Sequence, residues 1–219
     1  MGDSGVPAGG EGGAPEKSNI YALIIFKWDP EKPLLLSAAV DVSSFPFFHR
    51  STMKEHIIFH SRLIAARTPP GRRQVVEFEK GLGRCFVFNH FSSLCCCALT
   101  SFNYPLRVAF GLLNEALKQM QQVEESAWRS LAADAKTDLL PSSKLLLEKY
   151  KNPVEADKLL KVQQDLDEVK GVMLRNIDEL LQRGEKLEDL MQRSEDLSST
   201  SYQFYRQAKK SNSCCSSLY

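Results

Sequence analysis

One stretch of the chain decides its organisation, residues 158–211, which read KLLKVQQDLDEVKGVMLRNIDELLQRGEKLEDLMQRSEDLSSTSYQFYRQAKKS. From Leu159 onward, mostly apolar or small side chains recur at alternating spacings of three and four residues. This pattern averages 3.5 residues and predicts the seam of a coiled coil. A continuous helix of this length, at ~1.5 Å per residue, would be on the order of 80 Å long. The seam positions are Leu159, Val162, Leu166, Val169, Met173, Asn176, Leu180, Arg183, Leu187, Leu190, Ser194, Leu197, Ser201, Phe204, Ala208 and Ser211.

Arg183 is the exceptional member of the seam, because it places a permanent cation between Leu180 and Leu187. A guanidinium in a dry helix seam costs free energy unless its donors meet acceptors. A parallel homodimer would bring two such cations together, so the position suits partner helices that carry neutral acceptors such as glutamine. The alternative is an ordinary coiled coil in which the Arg183 side chain reaches solvent along its stem.

The residues around Arg183 strongly resemble the centre of an R-SNARE motif, with LLQRGEKLEDL at 180–190. Two further stretches agree, VQQDLDEV at 162–169 and FYRQAKKSNSCC at 204–215. The chain is similar to the prenylated, longin-domain R-SNAREs of the synaptobrevin family over nearly its whole length from about Asn19. The resemblance implies that Arg183 forms the central layer of a bundle with three Q-SNARE helices. The other seam residues would form the flanking layers, with Asn176, Ser194, Ser201 and Ser211 as polar or small departures.

Composition predicts one compact domain with an extension. The chain has 219 residues, 43% of them hydrophobic, which is enough for one core. The net charge of +1 gives no reason to expect a nucleic-acid partner. No apolar run approaches the ~20 residues that span a bilayer, and no secretory signal is visible. The six cysteines fall as Cys85, Cys95–Cys97 and Cys214–Cys215, without the spacing of a disulfide framework or a zinc knuckle, which indicates a reducing, cytosolic compartment.

The first half of the chain predicts a strand pair and a helix. Residues 19–27 are apolar on both faces, as in a central strand, and residues 34–40 follow the turn at 28–33 as its antiparallel partner. An aromatic loop leads to Ser51, a favourable N-cap, and a helix to about Ala66. Phe59 is displaced from the apolar face of this helix. One such residue often has no role, but the resemblance makes Phe59 a candidate docking point, because longin domains use this helix to hold their own SNARE segment.

Three more strands and two helices are predicted before the linker. The strands cover 73–79, 84–90 and 94–100, and they contain four of the cysteines, which are expected to pack as small hydrophobic side chains. A helix should begin at Asn103-Tyr-Pro105, with Pro105 in its first turn, and a weaker helix should cover 128–140. This order predicts an α+β fold, a five-stranded antiparallel sheet flanked by helices. It matches the longin, or profilin-like, arrangement, and residues 41–48 and 104–113 resemble that family closely.

The expected domain organisation follows from these elements. Residues 1–18 are a disordered leader rich in Gly and Pro, 19–140 a longin domain, 141–152 a linker, 153–213 the SNARE coiled coil and 214–219 a lipidation tail. Pro153 opens the long helix at a permitted position. Gly184 costs an isolated helix about 1 kcal/mol, so the SNARE stretch is expected to fray or refold without its partners.

The resemblance implies palmitate on Cys214 and farnesyl on Cys215. In the family the prenylated cysteine is followed by three residues, whereas Cys215 is followed by four. An extended box and an unmodified tail with two exposed thiols both stay open, although exposed paired thiols would be an oxidation liability. Two lipids give stable membrane anchoring where one gives reversible binding.

These features predict an R-SNARE that mediates membrane fusion in intracellular transport, among the ER, Golgi and endosomal or vacuolar membranes. It would be lipid-anchored on their cytosolic face and autoinhibited by its longin domain, without a cofactor. The alternative is a longin-type trafficking adaptor, which would need the helix to recruit cargo or tethers but would not need Arg183. An enzyme is not expected, because no phosphate loop, nucleophile–base pair or metal-ligand spacing is present.

Overall fold

Residues 19–78, 83–162 and 171–215 are described by the computed structural model, with 161, 162 and 211–215 described by their backbone only. The leader predicted at 1–18 lies outside the described residues. A six-stranded sheet forms the centre of the molecule, in the spatial order β2-β1-β5-β4-β3-β6. Its strands are β1 (Ile20–Lys27), β2 (Leu34–Val40), β3 (Arg73–Glu77), β4 (Arg84–Asn89), β5 (Leu94–Thr100) and β6 (Met173–Asn176).

The strand predictions are confirmed closely, and one strand is added. β2 and β5 have the predicted bounds, β1 begins one residue later and β4 ends one residue earlier. The predicted end of β3, at 79, lies outside the described residues. Strands β1 to β5 pair antiparallel with their neighbours, as expected, whereas β6 pairs parallel with β3. The sixth strand comes from within the seam and covers an edge that would otherwise expose unpaired backbone groups.

Helices cover both faces of the sheet. They are α1 (Arg50–Ala66), α2 (Leu106–Met120), α3 (Ser126–Arg129), α4 (Ser143–Lys149), α5 (Pro153–Val162), α6 (Leu187–Arg193) and α7 (Ser199–Cys215). The central strand β1 serves two cores, because its side chains alternate between the faces. Leu23 and Ile25 pack with α2, α4 and α5 on one face. Ala22, Ile24 and Phe26 pack with α1 on the other. The predicted α+β fold with helices on both faces is therefore confirmed.

Four local predictions differ from the structure. Ser51 lies inside α1, whose N-cap is His49, because a 3₁₀ turn at Phe47–His49 runs directly into the helix. Pro105 is the extended N-cap of α2 rather than part of its first turn. Only Ser126–Arg129 of the weaker helix is helical, since the backbone N–H groups of Ala135 and Leu139 donate to carbonyls of β2 instead. The linker at 141–152 contains α4, because Leu146 and Leu147 are buried in the core.

The long helix predicted over the seam is divided into shorter elements. α5 begins at Pro153, as predicted, and ends at Val162. After it come β6, a 3₁₀ turn at Ile177–Leu180, α6 and α7. Gly171 and Gly184 interrupt the described part of the seam with φ values of 79° and 88°. This left-handed conformation is incompatible with an α-helix, and glycine adopts it with little strain. The residues 171–215 are called the C-terminal segment below.

Candidate functional site

The C-terminal segment packs along helix α1, and it does so with seam residues. Leu180 is buried among Ile57, Ile64 and the strands beneath them. Leu187 lies partly buried against the same cluster. Helix α1 thus covers Leu180 and Leu187, the seam residues before and after Arg183, although the arginine itself is exposed in a turn. Leu180 and Leu187 find an apolar environment within the chain itself, made by α1 and the strands beneath it.

Phe59 faces the C-terminal segment rather than the sheet. Its side chain is buried, yet it belongs to neither of the two cores beside the sheet. It lines a surface groove of about 610 Å³ between α1 and the segment, together with Leu63 on its own helix and Leu190 and Ser194 on the other wall. Phe59 therefore occupies the position expected of a docking residue, and its role in docking stays a prediction.

Helix α7 lies antiparallel to α1. The backbone N–H of Ser198 donates to the Glu55 carboxylate at 2.7 Å, and the His56 Nε2–H donates to the carbonyl of Ser201 at 3.1 Å. One turn further on, the Phe204 ring lies 4.9 Å from the ring of His49. Ser201 is buried in this contact. A small residue at this seam position allows the two helices to approach.

Arg62 fastens the turn between α6 and α7 to the first domain. Its guanidinium donates to both carboxylate oxygens of Asp196, at 2.7 and 2.9 Å, and to both of Asp134, at 3.0 and 2.7 Å. It also donates to the carbonyl of Pro33 and lies over the Phe26 ring. Burial lowers the pKa of Arg62, but the hydrogen bonds to the two carboxylates outweigh it and raise the pKa overall. Two anions and one cation are thus held together at the edge of the apolar groove.

Two further contacts hold the segment at its beginning. β6 pairs with β3 over Gln74 to Glu77. The Arg67 guanidinium donates to both oxygens of Glu185, at 3.0 and 3.1 Å, next to the turn that contains Arg183. Both carboxylate oxygens of Glu185 meet the same guanidinium nitrogen, Nη2 of Arg67. Backbone pairing and this ion pair place the segment along α1 by directional contacts as well as by apolar burial.

Other seam residues are not brought to this surface. Arg183, Asn176 and Ala208 are exposed, as are Leu159 on α5 and Met173 on β6, while Ser194 and Leu197 are partly buried. Leu166 and Val169 lie outside the described residues, and the side chains of Val162, Ser211, Cys214 and Cys215 are likewise not described. The structure therefore buries Leu180 and wholly or partly covers most of the described seam residues after it. The described seam residues before Leu180, namely Leu159, Met173 and Asn176, face solvent.

Several residues of the site were missed by the seam pattern. Ile177 and Met191 are buried in the C-terminal segment, and Leu160 is buried where α5 packs on Gly111 of α2. None of the three is a seam position. The available signal was their apolar character, since a coiled coil leaves off-seam positions in water. Arg62 and Asp196 gave no comparable signal, because a charged residue in a largely buried ion pair looks the same in a sequence as one that faces solvent.

His56 on α1 lies against α7, and His60, one turn further along α1, packs on His56 and Phe78. Burial disfavours the charged form of both imidazoles. Burial lowers the pKa of His56, opposed by its bond to Ser201 and by the Glu55 carboxylate. Burial lowers the pKa of His60 to about 4, and its Nδ1–H donates to the carbonyl of His56 at 2.7 Å. Glu55 has a lowered pKa, because its bonds to Ser198 and Ser201 together outweigh its burial. The packed arrangement therefore holds neutral imidazoles beside an ionised carboxylate.

The cysteines in the sheet are confirmed as packed hydrophobic side chains. Cys85 and Cys95–Cys97 are buried and unpaired by disulfides. Burial raises the pKa of Cys96 to about 12, so its reactive thiolate is suppressed. No group of three or more His, Cys, Asp or Glu side chains in the described ranges is arranged to hold a metal ion.

Comparisons with known proteins agree with the seam and with the whole chain. Residues 158–215 match the family model described as Synaptobrevin. The chain is 44% identical to the VAMP-like protein YKT61 of Arabidopsis thaliana, over 91% of this chain and 99% of that protein. It is 42% identical to the synaptobrevin homolog ykt6 of Schizosaccharomyces pombe and 38% identical to YKT6 of Saccharomyces cerevisiae, in each case over 90% of this chain and 98% of the relative.

This chain is an R-SNARE of the synaptobrevin family, of the YKT6 type. Its role as a SNARE lies in vesicle trafficking, with other SNARE proteins as partners. None of the helices in the described part of the chain is both long enough and apolar enough to span a bilayer.

The ion pair between Arg62 and Asp196 should hold the C-terminal segment of this R-SNARE in place. We expect Asp196→Asn to raise the amide hydrogen exchange of residues 187–205, because a charge-assisted hydrogen bond in a largely buried site contributes on the order of 1–3 kcal/mol. Exchange measured by mass spectrometry on the whole chain would show this increase without loss of protection in β1 or β5.

Glu195→Gln is the matched control, because it removes the neighbouring carboxylate. Glu195 pairs with Lys32 on the surface, where its side chain is 83% exposed. Exposed ion pairs contribute little to stability, so exchange over 187–205 should stay at the wild-type rate. Equal effects of the two substitutions would contradict a specific role for Arg62 and Asp196.

The contact between α1 and α7 should weaken as the pH falls below about 6.5, the ordinary pKa of histidine. His56, which bonds to Ser201 of α7, has a lowered pKa in the packed state, and so does His60, which bonds to the carbonyl of His56. The free energy that the neutral imidazoles contribute is therefore fully present above the ordinary pKa and is lost as the pH falls below it. Amide chemical shifts of α7, followed by NMR between pH about 7 and about 5, should move towards those of an undocked helix.

The double substitution His56→Gln with His60→Gln should remove this pH dependence. Glu55 does not account for it, because its lowered pKa keeps it ionised over the same range. His90→Gln is the control, since His90 lies on the turn between β4 and β5, away from α7. A pH response that survives the double substitution would assign the effect to another group.

Proposed function

We propose that this R-SNARE drives membrane fusion by assembling its seam with three Q-SNARE helices into a four-helix bundle. Arg183 would form the central layer, where its donors meet the side-chain oxygens of three glutamines. The flanking seam residues would bury one another along the bundle. Each well-buried Leu or Phe contributes ~1.5–3 kcal/mol before conformational entropy is subtracted, so a long seam can supply the mechanical work of drawing two membranes together.

The observation that carries the proposal is that α1 and its cluster already cover seam residues that a bundle would also bury. Leu180, Leu187 and Phe204, which a bundle would bury, lie against α1 and its cluster, while Arg183 is exposed. Arg183 makes no ion pair with any described residue, and yet it interrupts an apolar line, which supports a partner that is absent from the free protein. We infer that the packed arrangement is an autoinhibited state, in which the longin domain occupies the surface that Q-SNARE helices need.

Gly184 can adopt the backbone conformation of the packed arrangement and that of the proposed bundle. In the packed arrangement it has a φ of 88°, and among the described residues, apart from Gly184 and its two chain neighbours, no heavy atom lies within 4 Å of the position where a Cβ would stand. In the bundle the same residue would adopt the right-handed helical conformation. Glycine populates both regions, so the residue beside the central arginine can serve as the point at which the seam straightens.

Membrane attachment is proposed through palmitate on Cys214 and farnesyl on Cys215, at the end of α7. We place the protein on the cytosolic face of Golgi, ER-derived and endosomal membranes, with a cytoplasmic pool. Two lipids give stable anchoring and one gives reversible binding, so removal of palmitate would return the packed form to the cytoplasm. Assembly of the seam towards this end would bring the partner membrane to the anchored one.

Gly184→Ala should shift the protein towards the open, assembly-competent state. An L-residue in the left-handed region costs the packed form about 1–2 kcal/mol, and alanine stabilises a helix by about 1 kcal/mol relative to glycine. Together these effects are about 2 kcal/mol or more, or roughly thirtyfold in the equilibrium. The rate of assembly with a soluble Q-SNARE mixture, measured by fluorescence anisotropy, should rise accordingly.

The isolated segment 153–213 separates the two contributions. In that peptide Gly184→Ala keeps its helix effect but has no packed state to destabilise, so the gain in assembly should be smaller than in the whole chain. An equal gain in both would mean that the packed arrangement does not limit assembly, and the autoinhibition proposal would fail.

Arg183→Gln should weaken bundle assembly with wild-type partners by at least about tenfold, because four neutral side chains replace a charge-assisted layer. Replacing the matching glutamine of one partner by arginine should restore assembly, since it rebuilds one arginine and three glutamines. Because Arg183 is exposed in the packed form, the substitution should leave the thermal unfolding temperature of the free protein unchanged.

The charge exchange also separates fusion from the adaptor alternative. An adaptor that recruits cargo through the helix alone would retain its partners after Arg183→Gln, and the reciprocal partner substitution would have no effect. Pull-down of the same partners by wild type and variant would therefore support the adaptor and contradict the fusion proposal.

A further inference from the structure

Two phenylalanines stand out from the surface at the turn before α1. Phe47 is 74% exposed and Phe48 is 90% exposed, and their rings meet edge to face at 5.7 Å. We call this pair the aromatic tip. Exposed single apolar residues are ordinary, but two adjacent aromatic rings on one projecting turn indicate a surface that something else covers.

The turn beneath the aromatic tip is held firmly. The third phenylalanine, Phe45, packs inward against Tyr21 at 5.7 Å. The Arg50 guanidinium donates to the carbonyls of Phe45 and Ser43, at 3.1 and 2.9 Å. The His49 N–H donates to the carbonyl of Pro46 at 2.9 Å. The exposure of Phe47 and Phe48 is thus built into a braced turn.

Helix α7 brings positive charge to the same end of the molecule. It is antiparallel to α1, and Phe204 reaches His49, the residue next to the aromatic tip. The eleven residues from 205 to 215 continue beyond it for about 16 Å. Three cationic side chains of α7 are exposed, Arg206, Lys209 and Lys210, and they join the exposed Lys54 and the partly buried Arg50 on the first turns of α1.

Two acidic side chains near this end, Asp41 and Glu188, are paired with lysines. Asp41 pairs with Lys151 at 2.7 Å, and hydrogen bonds from Lys151 and Ser43 lower its pKa to about 2. Glu188 pairs with Lys209 at 2.7 Å, and Glu55 accepts from Ser198. Outside these two ion pairs, the four cations Arg50, Lys54, Arg206 and Lys210 outnumber the ionised Glu55, so the surface around the aromatic tip carries an excess of positive charge.

We propose that Phe47 and Phe48 insert into the interface of a membrane with anionic lipids, with the cationic side chains of α1 and α7 on the headgroups. Aromatic rings favour the headgroup boundary, and basic residues near it are attracted to negatively charged lipid. A single apolar tip with a few cations gives reversible binding. The contact uses the folded protein and does not require a lipid on Cys214 or Cys215, so it stands apart from the proposed anchoring and fusion.

Vesicle flotation of the whole, unlipidated chain tests the contact. Wild type should float with phosphatidylcholine vesicles that contain about 30% phosphatidylserine and should float much less with phosphatidylcholine alone. The double substitution Phe47→Ser with Phe48→Ser should lower the partition coefficient by at least about tenfold. Failure of the wild type to float with the anionic vesicles would overturn the proposal, as would an unchanged partition of the double variant.

Phe91→Ser is the matched control. Phe91 is 80% exposed and its ring lies over Gly71, on the turn between β4 and β5 at the opposite end of the sheet. Its substitution should leave flotation unchanged, and an equal loss would overturn the proposal by showing a general effect of exposed aromatic rings.

Depth of insertion gives a second, independent measurement. The variant Phe48→Trp should be quenched by brominated acyl chains in anionic vesicles, and Phe91→Trp should not. Equal quenching of the two would contradict insertion of the aromatic tip. Sedimentation of wild type and double variant without vesicles tests the competing occupant, since a dimer that only the wild type forms would assign the tip to self-association and overturn membrane insertion.

Discussion

The apolar side chains around Arg183 can be covered by only one surface at a time. Leu180 lies in the cluster of Ile57 and Ile64 and Leu187 packs partly buried against it, and the two leucines are the seam positions before and after Arg183. Exposing them to water costs about 1.5–3 kcal/mol for each fully buried residue. Any equilibrium between the packed arrangement and a bundle is therefore an exchange of one apolar environment for another. The net difference between the two is far smaller than either burial alone, and a few local contacts can decide it.

Polar contacts decide where the segment lies, since apolar burial has little directional preference. Arg62 binds Asp196 and Asp134 in two forked pairs, and Arg67 binds Glu185 beside the exposed Arg183. Ion pairs with this degree of burial add little net stability, because desolvation offsets much of their attraction, but their geometry fixes the register of the segment. On the proposed function such contacts suit a segment that is released for assembly, since they fix one arrangement without making it very stable.

The sequence predicted strands β1, β2, β4 and β5 to within one residue, because hydrophobic period and turn residues are local signals. The apolar run at 19–27 and the strand at 94–100 depend on their own residues, and both lie as expected. The loop at 131–140 was wrongly predicted as helix, since its backbone bonds to β2 are distant in sequence. The spacing of the seam residues is that of a coiled coil, which agrees with the synaptobrevin family. In the structure, however, the described part of the seam forms short elements, and the chain turns at Gly171 and Gly184. Off-seam apolar residues such as Ile177 and Met191 indicated a second packing partner, whereas Leu174, equally apolar, is exposed.

The exposed and covered parts of the seam give the proposed assembly a direction. Leu159 is 52% exposed and Met173 is also exposed, whereas Leu180 is buried. Partner helices can therefore contact the described early positions without displacing α1. Continued pairing past Met173 would have to remove β6 from β3, straighten Gly184 and release Leu187 from α1. Each step replaces a contact in the packed form by one in the bundle, so opening need not precede binding. On the proposed function, assembly would then proceed from the exposed early positions towards the end of α7, where the membrane anchor is placed.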